Sequence, residues 1–330
     1  MAKNSSCKTC ESETCSAKEP RGDESIEDFL ERQALAERLC RIRHKLLVLS
    51  GKGGVGKSTV AANLAVSFAT QGFRTGLLDI DLHGPSIPKL LQLEGRTLDL
   101  HQSAMEPVTV ELPSLSGRGK GEGQAPVPIP ESHPHPTLSL EGRGVLKVIS
   151  IGFLLRNADD AVIWRGPLKM GVIKQFLRDV EWGELDYLVV DSPPGTGDEP
   201  LSICQLMPEA DGAVVVTTPQ DVSVTDVRKC ITFCRQVKMP VLGVVENMSG
   251  FACPHCGKTT DLFKSGGGER MATEMAVPFL GRIPIDPAVV ESGDAGRPVV
   301  SHYADSPSAV AFAQVTAAIR QRIEEQRHAH

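Results

Sequence analysis

The chain of 330 residues has little with which to hold nucleic acid: two Trp, two Tyr and a formal net charge of −6 supply neither stacking platforms nor a basic surface. It also lacks any apolar run near the roughly 18 residues that span a bilayer, and its first residues contain no apolar signal-peptide core. These absences predict a cytoplasmic protein with no nucleic acid and no membrane among its partners. Cysteine is missing between Cys40 and Cys204. The nine present are an odd number in a chain without an export signal, which argues against a disulfide framework and towards metal binding or redox chemistry. What remains is globular in composition, 41% hydrophobic and 23% charged, unlike a disordered or fibrous chain.

Two segments are short of large apolar side chains. Residues 1–25 read as a flexible tail carrying Cys7, Cys10 and Cys15. A short amphipathic helix follows over 26–39, where Ile26, Phe29, Leu30, Leu35 and Leu39 recur at three- and four-residue spacing. Of the 32 residues of 113–144, sixteen are Gly, Pro or Ser and none is aromatic. An imperfect repeat runs through them, Pro113-Ser-Leu-Ser-Gly-Arg-Gly119 against Pro136-Thr-Leu-Ser-Leu-Glu-Gly-Arg-Gly144. That composition predicts a disordered insertion, in which His133 and His135 lack a third ligand and read as solvated. Setting aside 1–40 and 113–144 leaves 258 residues, the size of one α/β domain over 41–330.

Elsewhere near-continuous Val/Leu/Ile runs at 45–50, 75–81, 146–152, 187–191, 213–218, 241–246 and 279–283 read as strands. Helical patterns at 58–71, 169–180, 224–237, 268–275 and 306–325 alternate with them. Runs apolar at every position suit parallel strands covered on both faces. The predicted fold class is α/β: a doubly wound, mostly parallel sheet flanked by helices.

Gly51, Lys52, Gly53, Gly54, Val55, Gly56, Lys57 and Ser58 follow the first strand and open the first long helix, satisfying G-x-x-x-x-G-K-[ST] in the context it needs. The glycines let several backbone N–H groups converge on one phosphate, and the helix N-terminus adds its positive dipole end. Lys57 is placed for the β- and γ-phosphates of ATP, and the Ser58 hydroxyl for Mg²⁺. The ATP site extends through Thr59. Lys52 is surplus to an ordinary loop of this type. Asp79 and Asp81 close one later run, and Asp191 closes another in Asp191-Ser-Pro-Pro-Gly-Thr-Gly-Asp198. Asp191 reads as holding Mg²⁺ directly or through water, and Asp81 as orienting an attacking water. Any one of them alone would as readily serve a turn, but together they favour chemistry.

Cys253-Pro-His-Cys256 has metal-knuckle spacing, yet two thiolates do not complete a four-coordinate site. A two-fold axis through the metal would bring the same pair from a second chain, and four thiolates suit zinc or a [4Fe–4S] cluster. Competing readings are a zinc site completed by Cys7 and Cys10, a redox dithiol, and inert buried thiols. Cys7, Cys10 and Cys15 are candidates for a second cluster, with Cys40 as a fourth ligand. Cys204, Cys230 and Cys234 fall in helical patterns and read as packing residues.

Several motifs converge on one family. They are Lys52-Gly-Gly-Val-Gly-Lys-Ser58, Asp79-Ile-Asp-Leu-His-Gly-Pro-Ser86, Trp164-Arg-Gly-Pro167, the Asp191–Asp198 run, Glu246-Asn-Met-Ser249, the Cys253/Cys256 pair and Gly281-Arg-Ile-Pro-Ile-Asp286. Over about 41–112 and 145–320 the sequence resembles the Mrp family of ATP-binding iron–sulfur cluster carriers. These are deviant Walker A P-loop ATPases, like the nitrogenase iron protein and the septum-site and chromosome-partitioning ATPases. The resemblance implies a P-loop NTPase fold and a homodimer. Lys52 would reach the nucleotide across its interface, with Asp81 in switch I, Asp191 in switch II and Asn247 at the adenine base. Cys253 and Cys256 would hold a [4Fe–4S] cluster between the subunits. The implied catalytic set is Lys52, Lys57, Asp81 and Asp191, hydrolysing ATP slowly. The implied partners are apo iron–sulfur proteins and the cluster assembly machinery. The N-terminal cysteines resemble the cluster-binding N-terminus of related eukaryotic scaffold proteins, with one upstream cysteine fewer and a shorter last gap. The insertion at 113–144 has no counterpart in the family pattern. Two alternatives remain at this stage: a partitioning-type ATPase, or an electron donor like the nitrogenase iron protein.

Overall fold

Every apolar run expected to be a strand enters one sheet. A computed structural model describes residues 19, 20, 22, 24–81, 84–101, 104–112, 144–154, 166–253, 256 and 258–328. In chain order the elements are α1 (Ile26–Leu39), β1 (Ile42–Ser50), α2 (Lys57–Thr70), β2 (Thr75–Asp79), α3 (Ile87–Leu90), β3 (Asp99–His101), β4 (Ala104–Glu106), β5 (Val108–Leu112) and β6 (Gly144–Ser150). A 3₁₀ turn, Ile151–Leu154, precedes α4 (Gly166–Arg178), β7 (Leu185–Asp191), α5 (Asp198–Leu206), β8 (Gly212–Thr217), α6 (Asp221–Gln236) and β9 (Val241–Glu246). The last are β10 (Phe251–Ala252), β11 (Thr259–Thr260), α7 (Gly267–Glu274), β12 (Phe279–Arg282), α8 (Pro287–Asp294), α9 (Val299–His302) and α10 (Pro307–His328).

The eight-stranded sheet runs β12-β9-β8-β1-β7-β2-β6-β5, parallel except for the antiparallel edge strand β5. From β1 the chain winds outwards on both sides, so the carboxyl end of β1 opens at the switch point where such sheets place ligands. Alternation along β1 shows why its run is apolar throughout. Leu47 and Leu49 pack under α1, α4, α5, α6 and α7, whereas Leu46 and Val48 pack under α2, α3, α9 and α10. Helix α2 is lined with Val60, Ala61, Leu64, Ala65 and Phe68, all buried, and Phe68 stacks on Tyr187 of β7 at 4.1 Å. Its small residues let it lie close across the sheet, which fixes the loop at its N-terminus.

Helix α1 starts at Ser25, whose side chain accepts from the Asp28 backbone N–H at 3.1 Å. It docks on the sheet domain through buried Leu35 and Leu39 and through a two-bond ion pair from Arg38 to Glu181, each bond 2.5 Å. The sequence does not reveal the edge strand β5 or the helices α5 and α8. Helix α5 is nine residues long, with Pro200 in its first turn, too short for a helical period to emerge. The N-terminal tail with Cys7, Cys10 and Cys15 lies outside the described residues, as do Trp164, Arg165 and all of 113–144 but Gly144, which opens β6. Among the described residues no helix is long and apolar enough to cross a membrane.

Candidate nucleotide site

The loop over 51–56 turns from β1 into α2 by two different uses of glycine. Gly56 caps α2 in the left-handed conformation, φ +79°, where a side chain would be strained and would meet the Asn247 amide at 2.3 Å. Gly51 needs no such φ. A Cβ there would lie 2.3 Å from the backbone of Asp226, so the loop rests directly on α6. The Ser50 hydroxyl donates to the Lys52 carbonyl at 3.0 Å, and the Gly195 N–H donates to the Ser50 carbonyl at 2.8 Å. That second bond ties the segment after Asp191 to the start of the loop.

Lys57 is buried among acids. Its ammonium lies 2.5 Å from Asp191 Oδ1, 3.6 Å from Asp81 Oδ2 and 3.2 Å from Ser58 Oγ. Asp79 stands opposite Asp191 in the β2–β7 register. It accepts from Ser150 Oγ at 2.7 Å and from the Asp81 N–H at 3.0 Å. Burial, reinforced by the Asp191 charge, pushes the Asp79 carboxyl up to about 8. Burial also raises Asp191, against the pull of Lys57. One lysine therefore serves three carboxyls. Asp191 Oδ2 and Ser192 Oγ are buried with no hydrogen-bond partner, and Ser58, Asp81 and Asp191 present the hard oxygen donors that Mg²⁺ takes. The donor set fits the ion, with Ser58 and Asp191 as the residues to hold it.

Cys253 and Cys256 lie in a hairpin on the far side of β9. Strands β10 and β11 pair antiparallel, Phe251 with Thr260 and Ala252 with Thr259, and the Cys253 N–H donates to the Lys258 carbonyl at 3.0 Å. Cys253 is half-buried and Cys256 exposed. Among the described residues no three His, Cys, Asp or Glu side chains gather to hold a metal ion.

A family model described as NUBPL iron-transfer P-loop NTPase, of the ParA group, matches residues 41–117 and 129–320. The chain belongs to this family. A nucleotide-binding protein of Archaeoglobus fulgidus, solved in complex with ADP and with cobalt found, is 40% identical over 85% of this chain and 96% of its own, with TM-score 0.65. The cell division ATPase MinD of Pyrococcus furiosus, at 22% identity over 85% of this chain and 99% of its own, shares the fold with TM-score 0.53. A ParA family ATPase of Chlorobium tepidum does so at 18% identity and TM-score 0.52, over 84% of this chain and 98% of its own. The doubly wound sheet is thus the P-loop NTPase fold, as the resemblance to Mrp proteins implies.

In this iron-transfer NTPase, four of the residues expected at the site, Lys57, Ser58, Asp81 and Asp191, lie together. Lys52, half-buried, and Thr59 lie on the same loop and first helical turn. Asn247 is buried, and its amide donates to the Val55 carbonyl at 2.9 Å, so it holds the loop itself. The motif reading quotes Asp79 and Glu246 without giving either a role of its own, and it does not single out Ser150. Asp79 and Ser150 extend the acid cluster sideways, and Glu246 closes β9 beside Asn247. A signal for them exists: the strands β6, β2, β7, β1, β8 and β9 end in Ser150, Asp79, Asp191, Ser50, Thr217 and Glu246, all fully buried. One polar residue closing each apolar run marks the carboxyl edge of the sheet. Cys204, Cys230 and Cys234 are buried in the core under α5 and α6, and burial pushes the Cys204 thiol up to about 12. They pack, as expected. Cys40 is half-buried at the end of α1, where its thiol donates to the Glu37 carbonyl at 3.2 Å.

Proposed function

We propose that this iron-transfer NTPase is a homodimeric carrier that holds a [4Fe–4S] cluster between the Cys253/Cys256 hairpins of two chains and delivers it to apo-proteins, with slow ATP hydrolysis. Residues 41–330 act as the ATPase and carrier domain, and 1–40 bring the N-terminal cysteines. One observation carries the reading: the chain of an iron-transfer NTPase family presents a two-thiol hairpin, Cys256 exposed and Cys253 half-buried, just beyond β9 of the sheet whose strand β1 opens into the P-loop. A two-fold axis supplies the missing pair. The cluster is cargo, so a site shared by two surfaces opens when they part.

The ATPase half follows from the buried charges. Without nucleotide, Lys57 is bound by Asp191 and Asp81. Phosphates entering the loop draw Lys57 away from both carboxylates, so that Asp81 can orient water and Asp191, with Ser58, would hold the cation. Bound Mg²⁺ would supply charge neutralisation on the phosphates. Lys52 reaches the nucleotide of the second subunit, and Asn247 meets the base once released from Val55. Hydrolysis stays slow because positioning supplies most phosphoryl-transfer catalysis, and the set is complete only in a closed dimer.

Anaerobic reconstitution followed by absorbance, EPR and transfer to an apo-acceptor tests this. The parent protein takes up a transferable cluster. A Cys253→Ser/Cys256→Ser variant that keeps a full, transferable cluster overturns the hairpin site. A cluster that cycles reversibly by one electron while staying bound points instead to an electron donor.

A further inference from the structure

Glu246 is a fully buried carboxylate that the ATP site does not use. Its surroundings are all donors. Oε1 accepts from Ser249 Oγ at 2.5 Å and from the Gly266 N–H at 2.8 Å, Oε2 accepts from the Gly268 N–H, and Arg282 Nε lies 3.5 Å from Oε1. The Ser249 hydroxyl also meets Ser265 Oγ at 3.2 Å. Ser249 begins the stem that enters the cysteine hairpin, and Ser265–Gly266 end the stem that leaves it for α7. One carboxylate therefore grips both stems of the segment that carries Cys253 and Cys256.

The neighbouring residue faces the other way. Asn247 donates to the Val55 carbonyl, and its own N–H is fixed to the Thr217 carbonyl at 2.8 Å. The Val55 carbonyl and the Gly56 N–H belong to one rigid peptide plane and point in opposite directions. In a phosphate loop the N–H groups are what the anion turns. A phosphate that reorients the Gly56 N–H therefore rotates the carbonyl that Asn247 holds. Between Asn247 and Ser249 the chain bends through Met248, which sits at φ +56°, an unusual conformation for a non-glycine residue.

We propose that Glu246 is a positioning residue that relays nucleotide binding from the Val55–Gly56 peptide, through Asn247, to both stems of the cysteine hairpin, and so sets how firmly the hairpin holds its cluster. This deepens the carrier reading and rests on it. Binding of ATP changes the Asn247–Val55 bond, the shift passes along one peptide link, and the buried carboxylate moves both stems together, since an unpaired carboxylate there would be costly.

Two experiments on the full chain test it. The first measures how fast a ferrous chelator strips the reconstituted cluster, with and without a non-hydrolysable ATP analogue. The parent protein shows a nucleotide effect of roughly tenfold, within the range of ordinary couplings. Glu246→Gln keeps the side-chain volume but sets an amide against backbone donors. It binds the analogue and loads cluster as the parent does, yet its nucleotide effect falls below about twofold, and Glu246→Asp restores part of it. A Glu246→Gln protein with the full nucleotide effect overturns the role of Glu246 alone. A parent with no nucleotide effect overturns the coupled carrier reading and this relay together. The second experiment needs neither variant nor cluster: hydrogen exchange of the Gly266 and Gly268 amides in cluster-free protein. Their exchange changes several-fold on adding the analogue with Mg²⁺, and unchanged exchange at both amides overturns the relay.

Discussion

At the residue scale the site is a problem of charge. Lys57, Asp79, Asp81 and Asp191 are all buried, and only one of the four is a cation. Lys57→Ala should abolish ATP binding and, in urea unfolding without nucleotide, cost roughly 3 kcal/mol, since it strands buried carboxylates. Equal stability of variant and parent would show the acids neutralising themselves. Asp79 gives a second test. Folding raises its carboxyl from the ordinary value near 3.8 to about 8, so between these values the native protein holds a proton that the unfolded chain has released. Nucleotide-free stability therefore falls as pH rises through that window and levels off above it. Asp79→Asn keeps an acceptor for the Asp81 N–H and offers its amide to Ser150. It should flatten this dependence and stabilise the nucleotide-free protein at neutral pH, as unfolding titrations at several pH values will show. A variant with the parent's slope contradicts the assignment.

At the element scale the strands were the most legible part of the sequence, and their ends the least. Parallel strands buried on both faces leave continuous apolar runs, and all seven expected strands formed. The antiparallel β5 went unseen because its inward residues alternate with exposed ones over only five positions, beside the Gly- and Pro-rich segment. The phosphate loop was legible from its glycines, but not the separate reason for each. Gly51 serves contact with α6, so Gly51→Ala should disturb packing as well as binding. The added methyl meets backbone atoms of Asp226 and Val227 at 2.3–2.7 Å, and these cannot swing aside as a side chain can. We expect a destabilisation of about 1–3 kcal/mol by denaturant unfolding together with weaker ATP binding. Gly53→Ala, whose Cβ meets only Pro194 at 3.9 Å, should leave stability within about 0.5 kcal/mol. Glu246 stands in a quoted motif, but its role was not legible there, because two of its partners are backbone N–H groups about twenty residues away.

At the scale of the whole molecule, the nucleotide loop and the cysteine hairpin occupy the centre and one flank of the same sheet. The P-loop opens at the centre, between strands paired on both sides, where it is held rigidly. The cysteine hairpin hangs from β9 near the edge, anchored by the Ser249 N–H to the Ile283 carbonyl and the Ile285 N–H to the Gly250 carbonyl. On the proposed reading the odd cysteine count belongs to this scale as well, since the Cys253/Cys256 pair would take its partners from a second chain. Native mass spectrometry of the anaerobically reconstituted full chain addresses that claim most directly. The account predicts a dimer carrying one [4Fe–4S] cluster, with Cys253→Ser/Cys256→Ser lacking it. A cluster held by a monomer, or retained by the double variant, would contradict it.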